Sequence, residues 1–341
     1  MDISEAIRLL PKVEQHVHIL GSIRPATLMR ALDESGIESE FSSLEELEKQ
    51  FIFRDFQHFL SVYLQAIQAV RHEKYFETMV FELLETSKQC NVKYVEMSFS
   101  AADHIEMGLD FERMMKAIEK GIERGKKAFG VISDIRIDLV RGFGLENAMG
   151  VLDLIEERPE GIVSIDLGGP EKEYPPDIYI DAYRRAKEMG LHLVAHAGEA
   201  VGPESIWSAL RNLGVERIGH GVSAIRDRVL MENLRDRGIT IETCPVSNIR
   251  TKVVESMENH PIRAFFDAGI SISVNSDDPS FFNTDMNNEF LQLSSVLGFS
   301  LDDLFRISLD TIDTSFLDPK VKERLNKQSR NEYEHITQSL D

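Results

Sequence analysis

The chain of 341 residues is predicted to fold as a (β/α)8 barrel with a helical insertion after the first strand and further helices at its C-terminal end. Eight segments rich in β-branched residues alternate with helix-period segments, at the spacing of parallel βα units. The length suits one such barrel. No glycine-rich phosphate loop follows the first strand, which argues against the open doubly wound alternative. No low-complexity linker or internal repeat interrupts the pattern, so residues 1–341 read as one domain.

Ile3 to Leu10 can form a short helix that Pro11 ends. Lys12 to Leu20 sets Val13, Val17 and Ile19 among polar residues and reads as the first strand. Pro25 then stands where a helix can begin, because a first-turn residue needs no N–H partner. Leu28 to Leu32, Leu44 to Phe53, Phe56 to Val70 and Glu73 to Gln89 follow as helices. The last of these carries Phe76, Met79, Val80, Leu83 and Leu84 at helical spacing. So much chain between two strands implies an insertion over one face of the barrel. Its run Phe51, Phe53, Phe56, Phe59, Leu60, Tyr63 is either the core of those helices or a lid over a pocket.

From Asn91 the alternation is regular. The strands are Val92 to Phe99, Val131 to Val140, Ile162 to Leu167, Leu191 to His196, Arg217 to Gly219, Ile239 to Thr243 and Gly269 to Asn275. The helices between them are Phe111 to Phe129, Leu145 to Glu157, Pro176 to Met189, Pro203 to Leu213, Asp227 to Asp236 and Pro261 to Ala268. In the last strand Ile270, Ile272 and Val274 alternate with serines, and Pro279 has no N–H with which to extend a ladder. Leu301 to Asp341 reads as charged helix packed outside the barrel.

A barrel of this type carries its site at the carboxyl ends of the strands, and the chemistry-bearing residues gather at that rim. His16 and His18 are two apart on a strand and share a face, a metal-binding geometry. His196 ends the fifth strand, with Glu199 just beyond it. His220 ends the sixth. Asp277 and Asp278 end the eighth, and adjacent residues there point to opposite sides, so each can serve a different partner. Taken singly these are ordinary features, such as a solvated strand face or an Asx-rich turn. Four strands delivering imidazole or carboxylate to one rim are not ordinary. Gly198, Gly219 and Gly221 flank these groups, where backbone must turn tightly or approach a ligand. His58, His72, His104, His260 and His335 fall on helices or loops, and His192 starts a strand, so these read as ordinary histidines.

Imidazole and carboxylate ligands with an open position suit zinc or a similar divalent ion, which lowers the pKa of its water to ~7. A nearby glutamate can then deliver a proton to the substrate, and a further histidine and aspartate can orient the attacking water. The set is a kit for metal-assisted hydrolysis.

Composition excludes other classes. The net charge of −20 argues against binding nucleic acid or anionic membrane. There is no basic region before an apolar run at the N-terminus, and no apolar run near the ~20 residues that span a bilayer. Two cysteines, Cys90 and Cys244, make no disulfide framework, so the expected compartment is the cytoplasm.

The motifs PKVEQHVH, DLGGPE, HAGE, RIGHG, TCPVSN and VNSDDP, in this order between Leu10 and about Leu297, resemble those of the adenosine deaminase family of the amidohydrolase superfamily. The resemblance implies one zinc ion per subunit, held by His16, His18, His196 and Asp277. It implies Glu199 as proton donor to purine N1, and His220 as the group that orients and deprotonates the attacking water. Asp278 would contact the attacking oxygen and purine N7, and the backbone N–H of Gly169 would meet purine N3. The reaction implied is hydrolytic replacement of a 6-amino group by oxygen, with release of ammonia, on a small purine nucleoside.

Adenosine-specific members of that family usually carry His-Leu-Asp-Gly after the first metal histidine. Here the run is His18-Ile19-Leu20-Gly21, so Leu20 replaces the acid associated with the ribose 5′-hydroxyl. Leucine accepts no hydrogen bond, so a substrate site that includes His18 and Leu20 is expected to tolerate a 5′-modified nucleoside. RPEGIVSIDLGGPE and NSDDPSFFNTD are also similar to the branch that deaminates 6-aminodeoxyfutalosine. The expected substrate is adenosine or such a 5′-modified adenosine. The alternatives are adenine itself, or a non-purine substrate of another metal-dependent amidohydrolase.

Overall fold

Asp2 caps the opening helix, Ile3–Leu9, by accepting the Glu5 N–H, and Pro11 separates that helix from the first strand. The computed structural model describes residues 1–37, 43–54 and 56–340, the side chains of 56 and 57 excepted. Eight strands follow in sequence order: β1 (Lys12–His18), β2 (Val92–Phe99), β3 (Ile132–Val140), β4 (Ile162–Gly168), β5 (His192–Ala197), β6 (Arg217–His220), β7 (Thr240–Thr243) and β8 (Ile272–Val274). Every neighbouring pair is parallel, as helical crossovers require.

The sheet closes on itself between β8 and β1, through a single bridge from Val17 to Asp277. The N–H of His18 donates to the Asp277 carbonyl at 2.8 Å, and the N–H of Asp277 donates to the His16 carbonyl at 3.1 Å. Side chains complete this irregular seam. Asn275 Oδ1 accepts the Gln15 N–H at 2.8 Å, and Glu14 Oε1 accepts the Ser276 N–H at 2.9 Å. The structure is the (β/α)8 barrel expected from the sequence.

Two strands are shorter than their apolar patterns. β1 stops at His18, because Leu20–Ser22 winds into a 3-10 turn closed by the Ile23 N–H on the Leu20 carbonyl. β8 starts only at Ile272. Gly269, at φ 74°, turns the chain off the helix Ile262–Asp267, and the Ile270 N–H returns to the Phe265 carbonyl as part of that helix end. Four helices escape the sequence pattern: Ala101–Ile105, Pro245–Arg250, Pro279–Phe282 and Met286–Leu297. Pro279 opens the third of these. Pro203 to Leu213 is a helix to Ser208 and a wider π turn over Ala209–Leu213.

The insertion between β1 and β2 comprises Pro25–Ser35, Leu44–Gln50, Phe56–Ala69 and Lys74–Gln89. The tail is helical, over Leu301–Thr314 and Pro319–Gln338, and it does more than flank the barrel. Its chain turns beneath the strands, where the Thr311 carbonyl accepts Gln15 Nε2 at 2.9 Å and the Phe316 N–H donates to Glu96 Oε1 at 3.0 Å. The tail thus closes the amino end of the barrel and leaves the carboxyl end for the site.

Candidate active site

β1, β5 and the segment after β8 bring His16, His18, His196 and Asp277 together, with one ligand atom from each lying within 4.8 Å of all the others. His16 Nδ1 is 2.8 Å from Glu242 Oε2. Burial alone would raise the Glu242 carboxyl, but Arg136 and Arg217 outweigh it and hold the group well below the usual carboxylate range. Glu242 is therefore an acceptor that holds the Nδ1 proton of His16 and leaves Nε2 as the nitrogen facing the cluster, 3.4 Å from Asp277 Oδ1. His196 repeats the device with Nδ1 at 3.1 Å from Asp166 Oδ1, and His18 Nδ1 faces Asp138 Oδ2 at 3.3 Å. His16 Nε2 is buried without a hydrogen-bond partner. Burying such an atom is costly unless something else takes its lone pair. Three imidazole nitrogens and one carboxylate oxygen around that point fit the donor set of a divalent ion such as zinc.

Asp277 adopts φ 61°, a left-handed conformation rare outside glycine, and Ser247 Oγ donates to its Oδ2 at 2.6 Å. The turn aims Asp277 at the histidines and leaves Asp278 facing elsewhere. Asp278 is buried, and its Oδ1 has no hydrogen-bond partner. Burial first, and then the neighbouring Asp277, push its carboxyl up to about 7. Gly21 lies against it: a Cβ there would stand 1.9 Å from Asp278 Oδ1. Only glycine leaves room for this carboxylate.

Glu199 follows β5, with 23% of its side chain exposed and Oε2 at 3.8 Å from His220 Nε2. Burial, joined by the charges of Asp277 and Glu171, pushes it up to about 8. Both causes favour its protonated form, the form able to donate. Its backbone is pinned by Glu171, whose carboxylate accepts the N–H groups of Gly198, Glu199 and Ala200 at 2.5, 3.2 and 2.8 Å. Glu171 lies on the same loop as Gly169, which turns at φ 96° as β4 ends. His220 ends β6 at φ 61°, its Nε2 3.9 Å from Asp277 Oδ2.

Leu20 sits in the turn beside Gly21, 8% exposed. The aromatic run of the insertion packs over this end of the barrel. Phe51 stacks on Phe281 at 4.8 Å, Phe59 lies 5.1 Å from Phe282, and Tyr63 lies 5.5 Å from Phe281. These side chains therefore cover the residues just after Asp278, while Leu60 is 36% exposed and the Phe56 side chain lies outside the described residues.

His16, His18, His196 and Asp277 thus converge, with His220 beside Asp277 and Glu199 beside His220. Sequence reasoning missed what stands behind them: Glu242, Asp166 and Asp138 on the histidines, Arg136 and Arg217 on the carboxylates, Glu171 under Glu199, and Asn248 with His260 behind His220. A signal existed for several. Arg136, Asp166 and Glu242 are charges in the middle of strands, and a charge buried there needs a partner.

Residues 11–331 match the family model described as adenosine deaminase. The chain belongs to the adenosine deaminase family. It is 35% identical over 327 residues to the aminodeoxyfutalosine deaminase of Streptomyces avermitilis, a match covering 95% of this chain and 91% of that one. It is 34% identical over 316 residues to the adenine deaminase of Vibrio parahaemolyticus, covering 93% and 94%. The crystal structure of adenine deaminase from Arthrobacter aurescens superposes with a TM-score of 0.91 at 29% identity, over 94% of this chain and 98% of that one. As a member of the adenosine deaminase family the protein is a deaminase, a hydrolase of C–N bonds on a TIM-type barrel. Among the described residues no helix is long and apolar enough to cross a membrane.

Proposed function

We propose that this deaminase is a zinc enzyme that replaces the 6-amino group of an adenine nucleoside by oxygen, the nucleoside carrying a modified 5′ position as in 6-aminodeoxyfutalosine. His16, His18, His196 and Asp277 would hold one zinc ion per subunit, consistent with their donor set and with the orphaned Nε2 of His16. When bound, the ion supplies Lewis-acid activation of water.

The chain's own groups do the rest. Gly169, at the end of β4, meets the purine edge through its N–H and sets the ring beside Glu199. Glu199 delivers its proton to N1, which makes C6 electrophilic, and Asp278 and His220 orient the water that adds there. The amino group leaves as ammonia. Asp278, whose Oδ1 has no other partner, takes one proton of the water and passes it to the departing amine, and the other proton returns to Glu199 in place of the one given to N1. The rim is covered by Phe51, Phe59 and Tyr63, which limits competing water.

The observation that carries the substrate assignment is Leu20, next to the Gly21 that abuts Asp278, an apolar side chain at the position where the family resemblance implies an acid for a free 5′-hydroxyl. The aminodeoxyfutalosine deaminase of Streptomyces avermitilis supports it. Adenine is the second reading, favoured by the likeness to the Vibrio parahaemolyticus enzyme. Residues 1–341 act as one catalytic domain in this proposal. The buried, unpaired Cys90 and Cys244 fit the cytoplasm as its compartment.

The test is kcat/KM for adenosine, 5′-deoxyadenosine, 5′-methylthioadenosine, 6-aminodeoxyfutalosine and adenine, followed by the ultraviolet change on deamination. The expected ranking puts a 5′-modified nucleoside first. Adenine or adenosine at the top would replace this assignment, and no reaction with any purine would end it.

A further inference from the structure

His260 read as an ordinary histidine, yet it stands two hydrogen bonds behind His220. It lies between the 3-10 turn Met257–Asn259 and the helix Ile262–Asp267. The first N–H groups of a helix have no partner within it. One of them, that of Ile262, donates to His260 Nδ1 at 3.2 Å. A nitrogen that accepts from a backbone N–H carries no proton, and His260 is buried among groups that keep it neutral, its pKa pushed down to about 3 by burial. The proton of His260 therefore sits on Nε2. That atom lies 3.2 Å from Asn248 Oδ1 and donates to it.

The backbone of Asn248 is held at both its polar groups. Its N–H donates to the Cys244 carbonyl at 3.0 Å and its carbonyl accepts the Val254 N–H at 2.9 Å. With Oδ1 engaged by His260, its amide nitrogen faces His220 Nδ1 at 3.2 Å. An amide nitrogen only donates. His220 Nδ1 is therefore an acceptor, and in the neutral ring the proton is left on Nε2, the atom that points towards Glu199 and Asp277. A backbone N–H more than one side chain away thus decides which nitrogen of a rim histidine carries hydrogen.

We propose that His260 is a positioning residue, acting through Asn248 to hold His220 as the neutral tautomer with its proton on Nε2. This rests on the reading of His220 as a group that orients the attacking water. In this tautomer His220 donates a hydrogen bond to the incoming oxygen and cannot take its proton at the same atom, which narrows the role implied by family resemblance. The relay fixes the ring as well as its proton, because Nδ1 is tethered on the side away from the substrate.

The zinc-loaded protein, labelled with 15N histidine, tests the tautomer directly. The expected spectrum shows His220 Nδ1 without a proton and Nε2 with one. Asn248→Asp offers only acceptors to both rings and is expected to draw the proton of His220 to Nδ1, with kcat lower by about 10²–10⁴-fold and KM and metal content unchanged. His260→Gln keeps a donor within reach of Asn248 and is expected to retain more kcat than His260→Leu. A wild-type spectrum with the proton on Nδ1 overturns the proposal, as does an Asn248→Asp enzyme with undiminished kcat on its best adenine substrate. Should no adenine compound react at all, the catalytic reading fails while the spectrum still decides the tautomer. The wild-type spectrum also decides it where His260→Leu does not fold.

Discussion

Arg136 and Glu242 share two hydrogen bonds of 2.8 Å inside the barrel, with neither side chain exposed to solvent. Arg136 also donates to Asp166 at 2.9 Å, so one guanidinium holds the two carboxylates that orient His16 and His196. Glu242→Gln keeps an acceptor but removes the charge that faces Arg136 and Arg217. It is expected to weaken zinc affinity by about 10–100-fold and to lower stability by about 3 kcal/mol. Competition with a chelator and urea unfolding measure the two effects separately.

Gly21 and Asp278 are in contact that tolerates no Cβ. Gly21→Ala must displace the carboxylate or the turn, and a shift of one ångström at a reacting group costs about 10²-fold in rate. The expected result is a folded, metal-replete protein with kcat reduced to that extent. Near-wild-type kcat would show that Asp278 does not need its present position.

Leu20→Asp tests the sugar side. It is expected to raise the ratio of kcat/KM for adenosine over 5′-deoxyadenosine by about tenfold or more, since the new carboxylate can accept from the hydroxyl. An unchanged ratio would place Leu20 outside the substrate pocket.

Burial, and then the charges of Asp277 and Glu171, favour the neutral form of Glu199 and push it up to about 8. A proton donor works only while protonated, so the rate is expected to be full below that pH and to fall as pH rises through it. Glu199→Gln cannot donate and is expected to lose at least about 10²-fold in kcat with the fold and metal content retained. A pH profile of kcat that stays flat to the alkaline side would exclude Glu199 as the donor.

The barrel and its rim were legible because both rest on local signals. Val92 to Phe99 sets five apolar residues among Lys93, Glu96 and Ser98, and Phe111 to Phe129 carries its apolar face at helical spacing, so each element announces itself. The rim residues follow from strand ends alone. The supporting shell was not legible, since Glu242 meets His16 across the barrel and no local pattern encodes that pairing. Pro245–Arg250 and Pro279–Phe282 are too short to show a helical period, so Pro279 showed only that the ladder ends before it and not that a helix begins there. His260 was passed over for the same reason as Glu242. Its partner, Asn248, is brought to it by a loop, and what fixes its tautomer is the open end of a neighbouring helix.

The seam that joins the first strand to the segment after the last has a consequence for biosynthesis. His16 and His18 leave the ribosome early, and Asp277 only when most of the chain has been made. A nascent or truncated chain therefore lacks the fourth donor and the bridge that shuts the cylinder. The four candidate ligands can meet only after the chain has run from β1 through Asp277.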